Sequence, residues 1–320
     1  MRALRRLPLV CALVGGALAL SACGGDDAFE EGAGDESGGG GGGGETIVVG
    51  GANFTEMLIM QAMYVELLND AGFETETVTA DNRELYFPEL GSGDIDVVPE
   101  YAATLAEFLN VGANGDGAEL ISTSDAAETV EAMRPLAEEE GVTLLEPAEA
   151  ADQNGYAVTS AFAEENGLET LSDLGALGQP LVLAATEECP TRPFCQPGLE
   201  ETYGLQIGSL LPTGFGSPAT KEAVQSGEAQ LGLVATTDGT LEQFDLVLLE
   251  DDMSLQLADN LVPAVNTESA TDELTEALNA LADVLTTDDL IELNRQVDSE
   301  RMQAADVARA YLEEKGLVGG

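Results

Sequence analysis

From Thr46 onward the chain runs through the same pattern twice, short apolar strands alternating with amphipathic helices, and then ends in helices that have no strand left to cover. The first run reads "TIVVGG" as a strand, then a helix over "NFTEMLIMQAMYVELLNDAG". Asn53 or Thr55 could cap this helix, its stripe passes through Phe54, Leu58, Ala62, Val65 and Leu68, and Gly72 stands near its end. "ETETVTA" and "DIDVVPEY" follow as strands, with helices over "RELYFPELGSG", "ATLAEFLN" and "SDAAETVEAMRPLAEEEG", and "VTLLEP" closes the run. After a small polar connector, "AEAADQN", the pattern restarts: strands "GYAVTS", "LVLAAT" and "QLGLVATT", and helices "LSDLGAL", "PGLEETYG" and "SPATKEAVQSG". Such alternation predicts an α/β protein with parallel-type sheets covered by helices, and two units in series predict two lobes. "FDLVLLEDD" and "NLVPAVNT" are strands, but everything after them is helical and needs a surface to cover. The economical solution passes the chain into lobe two near residues 148–153, returns it near 249–256, and lays the last helices on lobe one. Lobe one is then 46–150 plus 254–320 and lobe two 151–253, with the ligand cleft at the double crossing.

The N-terminus sets the compartment. Arg2, Arg5 and Arg6 precede an apolar run from Leu7 to Leu20 that is short for a bilayer span, and small residues lead to Cys23, so 1–22 is expected to be a secretory signal peptide. "LSAC" resembles the lipobox of bacterial lipoproteins, which implies acylation of Cys23. Residues 23–45, "CGGDDAFEEGAGDESGGGGGGGE", have almost nothing to bury and are expected to be a flexible leash holding the body off a membrane. Of the four cysteines, Cys11 leaves with the signal and Cys23 takes the lipid, leaving Cys189 and Cys195 in "CPTRPFC". Two thiolates without histidine make a poor zinc site, and the spacing is not C-x-x-C. In an exported protein a disulfide is the default, closing a small loop around Arg192.

The chain has 11 basic and 60 acidic residues, a formal charge of −49 that becomes −52 once the three signal arginines are removed. That surface repels nucleic acid and anionic head groups, and solubility in a salty habitat explains it more simply than steering of ligands, because salt screens distant charges. No histidine occurs. Ser-His-Asp and Cys-His catalysis and histidine-based zinc sites are therefore out of reach. "GGANF" lacks the spacing of a dinucleotide loop. The expectation is a protein that is not an enzyme and uses no metal or cofactor.

The blocks "VVGGANFTEMLI", "SGDIDVVPEYAAT", "QNGYAVTS", "TKEAVQSGEAQLGLVATTDG", "LVLLEDD", "LVPAVN" and "LNRQVDSERMQAADVARAYLEEKGL", in this order from Thr46 to Val318, resemble the glycine betaine/choline (quaternary ammonium, osmoprotectant) substrate-binding proteins of ABC importers. The resemblance implies a two-lobed type II periplasmic-binding-protein fold that closes over a compatible solute and presents it to a membrane permease. With the export signal placing the body outside the cytoplasm, the expectation is a monomeric extracytoplasmic receptor. A trimethylammonium group has no N–H to donate, so aromatic faces recognise it. Tyr101 and Tyr156 match cage tyrosines of the family, although each could be a core tyrosine with its hydroxyl on backbone. Thr104 matches a threonine that bonds the ligand carboxylate, and Arg192 the region supplying the carboxylate-binding arginine. An exposed Arg192 paired with Glu187 or Glu188 is the alternative. The chain also departs from the family: Ala52 stands where lysine is frequent, and Ala235 and Leu257–Ala258 where cage aromatics are expected. Either Tyr86, Phe54 or Phe215 compensates, or the ligand is another small zwitterion (an amino acid, a sulfonium or thione betaine). An extracellular sensor module is a further alternative. Asn53, Asp238 and Asn260 are candidate polar cleft residues, with Asn53 and Asp238 equally suited to caps or turns.

Overall fold

The computed structural model describes residues 46–115 and 117–319; the signal segment, Cys23 and the linker lie outside them. Ten strands and eleven helices follow in chain order: β1 (Ile47–Ala52), α1 (Thr55–Asp70), β2 (Thr75–Ala80), α2 (Arg83–Ser92), β3 (Val97–Tyr101), α3 (Ala102–Asn114), α4 (Ala126–Glu139), β4 (Val142–Leu144), β5 (Asn154–Thr159), α5 (Ser160–Asn166), α6 (Leu171–Ala176), β6 (Pro180–Ala185), α7 (Gln196–Tyr203), β7 (Gln206–Pro212), α8 (Pro218–Gln225), β8 (Leu231–Ala235), β9 (Leu246–Leu249), β10 (Leu261–Asn266), α9 (Asp272–Ala282), α10 (Thr287–Asp298) and α11 (Ala304–Lys315). They build two five-stranded sheets, ordered β2-β1-β3-β10-β4 and β7-β6-β8-β5-β9.

Neither sheet is purely parallel, which corrects the expectation drawn from the alternation. β1 runs parallel to β2 and β3. β10 runs antiparallel to β3 and β4. In the second sheet β6 is parallel to β7 and β8, and β5 is antiparallel to β8 and β9. The reversed strand of each sheet is the one laid down just after the chain passes from the other sheet. It enters from the hinge end, against the direction of the βαβ units already there.

Helix α1 packs against β1 on one side and α9, α10 and α11 on the other. Its buried set is Met57, Met60, Tyr64 and Leu67 with their neighbours, while Phe54, Leu58, Ala62 and Val65 of the expected stripe are half-buried. A helix covered on two sides is apolar nearly all round, so its periodicity names no single face. The terminal helices thus find their surface on α1. The helix begins at Thr55, with Phe54 at the cap position and no side-chain cap; Thr55 Oγ1 donates instead to Asp298, 2.6 Å away. The two glycines before it make room, since a Cβ on Gly50 would lie 2.6 Å from Ile95 and one on Gly51 2.8 Å from Met57. Two elements escaped the sequence reading, α5 and β7. β7 is an edge strand, mostly exposed and ending at Pro212, so no alternation marks it.

Candidate ligand-binding cleft

The chain passes between the sheets twice, and the two passages lie side by side. Ala151 pairs with Asn260 as an isolated antiparallel bridge. The Asp152 N–H donates to the Asp259 carbonyl at 3.2 Å, and Gln153 Nε2 donates to the Leu257 carbonyl at 2.6 Å. Asn260, a candidate cleft residue, ties this hinge instead, donating to the Ala148 and Glu149 carbonyls at 2.9 and 3.1 Å. Above the hinge is a cleft of about 710 Å³, lined from both sheets' ends.

Three aromatic rings meet at this cleft. Phe54 comes from the start of α1, Tyr101 from the end of β3, and Phe215 from the loop between β7 and α8. Phe54 and Phe215 meet edge to face across the cleft, with centroids 5.2 Å apart, and Phe54 lies 6.3 Å from Tyr101.

The first-sheet wall carries a buried ionic network. Glu100 sits in β3 with no exposed surface, and Arg83 Nε and Nη2 grip its carboxylate at 2.7–3.1 Å. Tyr86 donates its hydroxyl to Glu100 at 2.8 Å, so both burial and this carboxylate push the Tyr86 pKa upward. Arg83 Nη2 also donates to Thr104 Oγ1 at 3.0 Å. Thr104 in turn donates its backbone N–H to Asp259 Oδ1 at 2.9 Å, so a carboxylate from the far crossing caps the first turn of α3. Burial pushes the Asp259 carboxyl up to about 7 against the lowering effect of Thr104 and Arg83.

A second buried carboxylate cluster closes the floor. Glu56 Oε1 accepts from the Tyr101 hydroxyl at 2.8 Å, while Oε2 accepts from Thr237 Oγ1 and Asn294 Nδ2, both at 2.7 Å. Asp152 Oδ1 accepts from Thr236 Oγ1 at 3.0 Å and the Thr237 N–H at 3.2 Å. Burial raises both carboxyl pKa values, and Glu56 adds its charge against ionisation of Asp152.

Of the expected ligand residues, Asn53, Tyr101, Thr104 and Arg192 line the cleft. Asn53 is exposed there. Tyr156 is not among the lining residues: its ring is buried in the second sheet's core, and its hydroxyl donates to the Phe194 carbonyl at 2.7 Å, steadying the cysteine loop from beneath. Asp238 is likewise elsewhere, paired with buried Lys221 at 2.8 Å and accepting from the Thr240 N–H, a turn and ion-pair role. Arg192 reaches across the cleft, and its Nη2 meets both oxygens of Glu84 in α2 at 2.9 and 2.8 Å. Glu188 stands 3.6 Å away. Glu84 thus occupies Arg192 Nη2, while the buried Arg192 Nε has no hydrogen-bond partner among the described residues. Cys189 and Cys195 are joined in a disulfide.

Sequence reasoning missed Arg83, Glu100, Glu56, Asp152 and Asp259. A signal existed for two of them: Arg83 is one of few cations in an acidic chain, and Glu100 interrupts an apolar strand at "VVPEY".

A glycine-betaine-binding protein of Pseudomonas aeruginosa is 26% identical over 281 residues, covering 84% of this chain and 88% of the relative. A crystal structure of a glycine betaine/carnitine/choline ABC transporter protein covers 85% of this chain and 99% of its own, with a TM-score of 0.63 at 20% identity. Apo YehZ of Escherichia coli covers 86% of this chain and 100% of its own, with a TM-score of 0.58 at 25% identity. The fold is the two-lobed type II periplasmic-binding-protein fold. The family described as the substrate-binding domain of ABC-type glycine betaine transport systems matches residues 45–314, and the chain belongs to it.

Proposed function

We propose that this chain is an extracytoplasmic, non-enzymatic receptor that closes over a quaternary ammonium solute of the glycine betaine/choline class and delivers it to an ABC permease. The body is carried on the 23–45 leash by a lipid on Cys23 and acts as a monomer. Lobe one is 46–150 plus 254–320, and lobe two is 151–253. The observation that carries the ligand class is the meeting of Phe54, Tyr101 and Phe215 at the cleft between sheets. Aromatic faces attract a cation that has no hydrogen-bond donor, and the cleft walls exclude the water that would compete. Phe54 and Phe215 thus stand in for cage aromatics that Ala235 and the Leu257–Ala258 stretch do not supply.

Thermal denaturation in the presence of glycine betaine, choline, carnitine and a panel of amino acids tests this. A ligand at a hundredfold excess over its Kd stabilises the folded state by about 2.7 kcal/mol, a shift of several degrees. Quaternary ammonium solutes should raise the midpoint and amino acids should not. Stabilisation by amino acids alone would move the chain to the zwitterion alternative.

A further inference from the structure

Two buried side-chain nitrogens of cleft-lining residues have no hydrogen-bond partner among the described residues, Arg83 Nη1 and Arg192 Nε. Arg83 is the better fixed of the two. It is 6% exposed, Glu100 engages its Nε and Nη2, Nη2 donates also to Thr104 Oγ1, and the guanidinium carbon lies 5.9 Å from the centre of the Phe108 ring. Those contacts hold the planar fork in one orientation and leave one nitrogen, with two N–H groups, unused. A charged donor left unmet in so dry a place is unfavourable until something accepts from it. Arg192 differs: its side chain is 29% exposed, and its Nη2 is turned to Glu84 in α2.

The surroundings of Nη1 suit an anion with a single charge. Arg83 is the first residue of α2, and among the described residues nothing accepts from the backbone N–H of Arg83 or Glu84, while the Asn82 side chain takes the Leu85 N–H. The positive end of a ten-residue helix thus adds to the guanidinium. Both arginine charges reach the Tyr86 hydroxyl, where each opposes the upward push of burial and Glu100, so the two guanidinium groups share this corner of the cleft. Burial draws the floor carboxyls of Glu56, Asp152 and Asp259 toward their neutral forms, which weakens their repulsion of an incoming anion. A dianion would still meet Asp81, Glu187 and Glu188 on the cleft walls.

Thr104, which Arg83 Nη2 contacts, follows Tyr101 by one turn of α3, about 4.5 Å along the helix axis. An anion on Arg83 therefore lies one helical turn from the aromatic rings, a separation that fits a zwitterion with one or two carbons between its charges. We infer that Arg83 is the specificity-determining residue for the anionic end of the ligand, its unpartnered Nη1 receiving a carboxylate, so that the cleft selects a short carboxylate-bearing zwitterion over a quaternary ammonium cation without one. This deepens the proposed receptor function and rests on it. Arg192, bridged to Glu84, draws the walls together whichever ligand is bound.

The test is calorimetry on the mature protein with glycine betaine, its amide, which has the same shape without the negative charge, and choline. The parent should bind glycine betaine on the order of tenfold or more tighter than either cation. Arg83→Lys keeps a charge for Glu100 but has no second nitrogen, and the double variant Arg83→Gln, Glu100→Gln removes both charges of the pair, so neither is left buried alone. In each, the ratio of betaine to choline affinity should fall toward one; the ratio is the readout, because a general loosening of the wall moves both ligands. In the parent, glycine betaine but not choline should shift the nitrogen NMR signals of the Arg83 guanidinium, which needs no variant. A parent that binds the amide or choline as well as glycine betaine, a ratio unchanged in a folded variant, or a ratio that collapses in Arg192→Ala but not in the Arg83 variants overturns the inference while leaving the receptor function standing. A parent that binds none of the three overturns both.

Discussion

Arg192 offers a prediction that separates two roles for one guanidinium. In the structure it joins the disulfide loop between β6 and α7 to helix α2 across the cleft, with Nη2 within 2.9 Å of both Glu84 oxygens. The side chains are 29% and 40% exposed, so water and salt screen the pair, and its net worth falls to about 0.5–1 kcal/mol. That energy is available only when the lobes touch, so it biases the closed conformer, and ligand affinity follows closure. Arg192→Ala should therefore weaken binding by about two- to fivefold. The loss should be the same for choline and glycine betaine, because the pair touches lobes and no ligand. Glu84→Ala should cost as much, the double variant no more than either single, and high salt should bring the parent toward the variants. Isothermal titration of the four proteins with both ligands measures all of this. If Arg192→Ala costs glycine betaine more than about 2 kcal/mol, spares choline, and Glu84→Ala is silent, then Arg192 is a ligand-carboxylate partner and the closure argument fails.

Three more expectations concern the scaffold. Reducing the Cys189–Cys195 disulfide should lower unfolding free energy by about 2 kcal/mol, the chain-entropy value for so short a loop, as read by denaturant titration with and without reductant; equal midpoints would refute it. Asp238→Ala strands Lys221, whose side chain is 4% exposed, and should cost about 3–5 kcal/mol of stability while the folded fraction binds ligand normally. The raised Asp259 pKa sets a sign for pH: its folded value of about 7 exceeds the ordinary 3.8, so the ligand-free folded state holds the proton more tightly than the unfolded chain does. The stability this contributes is complete below about pH 4 and is lost as pH rises toward 7, and Asp259→Asn should flatten that part of a stability–pH curve.

The fold was legible wherever a local pattern decides the structure. β1, β6 and β10 are short apolar runs whose ends fall within one residue of the sequence segments, because a strand buried on both faces leaves an unbroken signal; β3 begins three residues later than "DIDVVPEY". What was not legible was direction. β5 and β10 look like their neighbours in sequence, and only the side from which the chain enters reverses them. The edge strand β7 gave a weak signal for the opposite reason: it is mostly exposed, and its sequence, QIGSLLP, obeys no alternation.

The site was less legible, and the reason is distance along the chain. Thr104 and Asp259 are 155 residues apart, Glu56 and Thr237 are 181, and Glu56 and Asn294 are 238. No local spacing encodes such contacts. Composition blurs them further: among 60 acidic residues, a carboxylate that is buried beside a ligand reads the same as one that merely solvates the surface. Rarity is the better guide. Arg83, Arg192 and Lys221 come from a pool of 11 cations, and each proves to hold a carboxylate that is buried or spans the cleft. In so acidic a chain a cation meets an anion wherever it lies, so its ion pair alone says little. What distinguishes Arg83 and Lys221 is that the chain places them where water is scarce and an unpaired carboxylate would be costly, whereas Arg192 and Glu84 stay partly open to solvent.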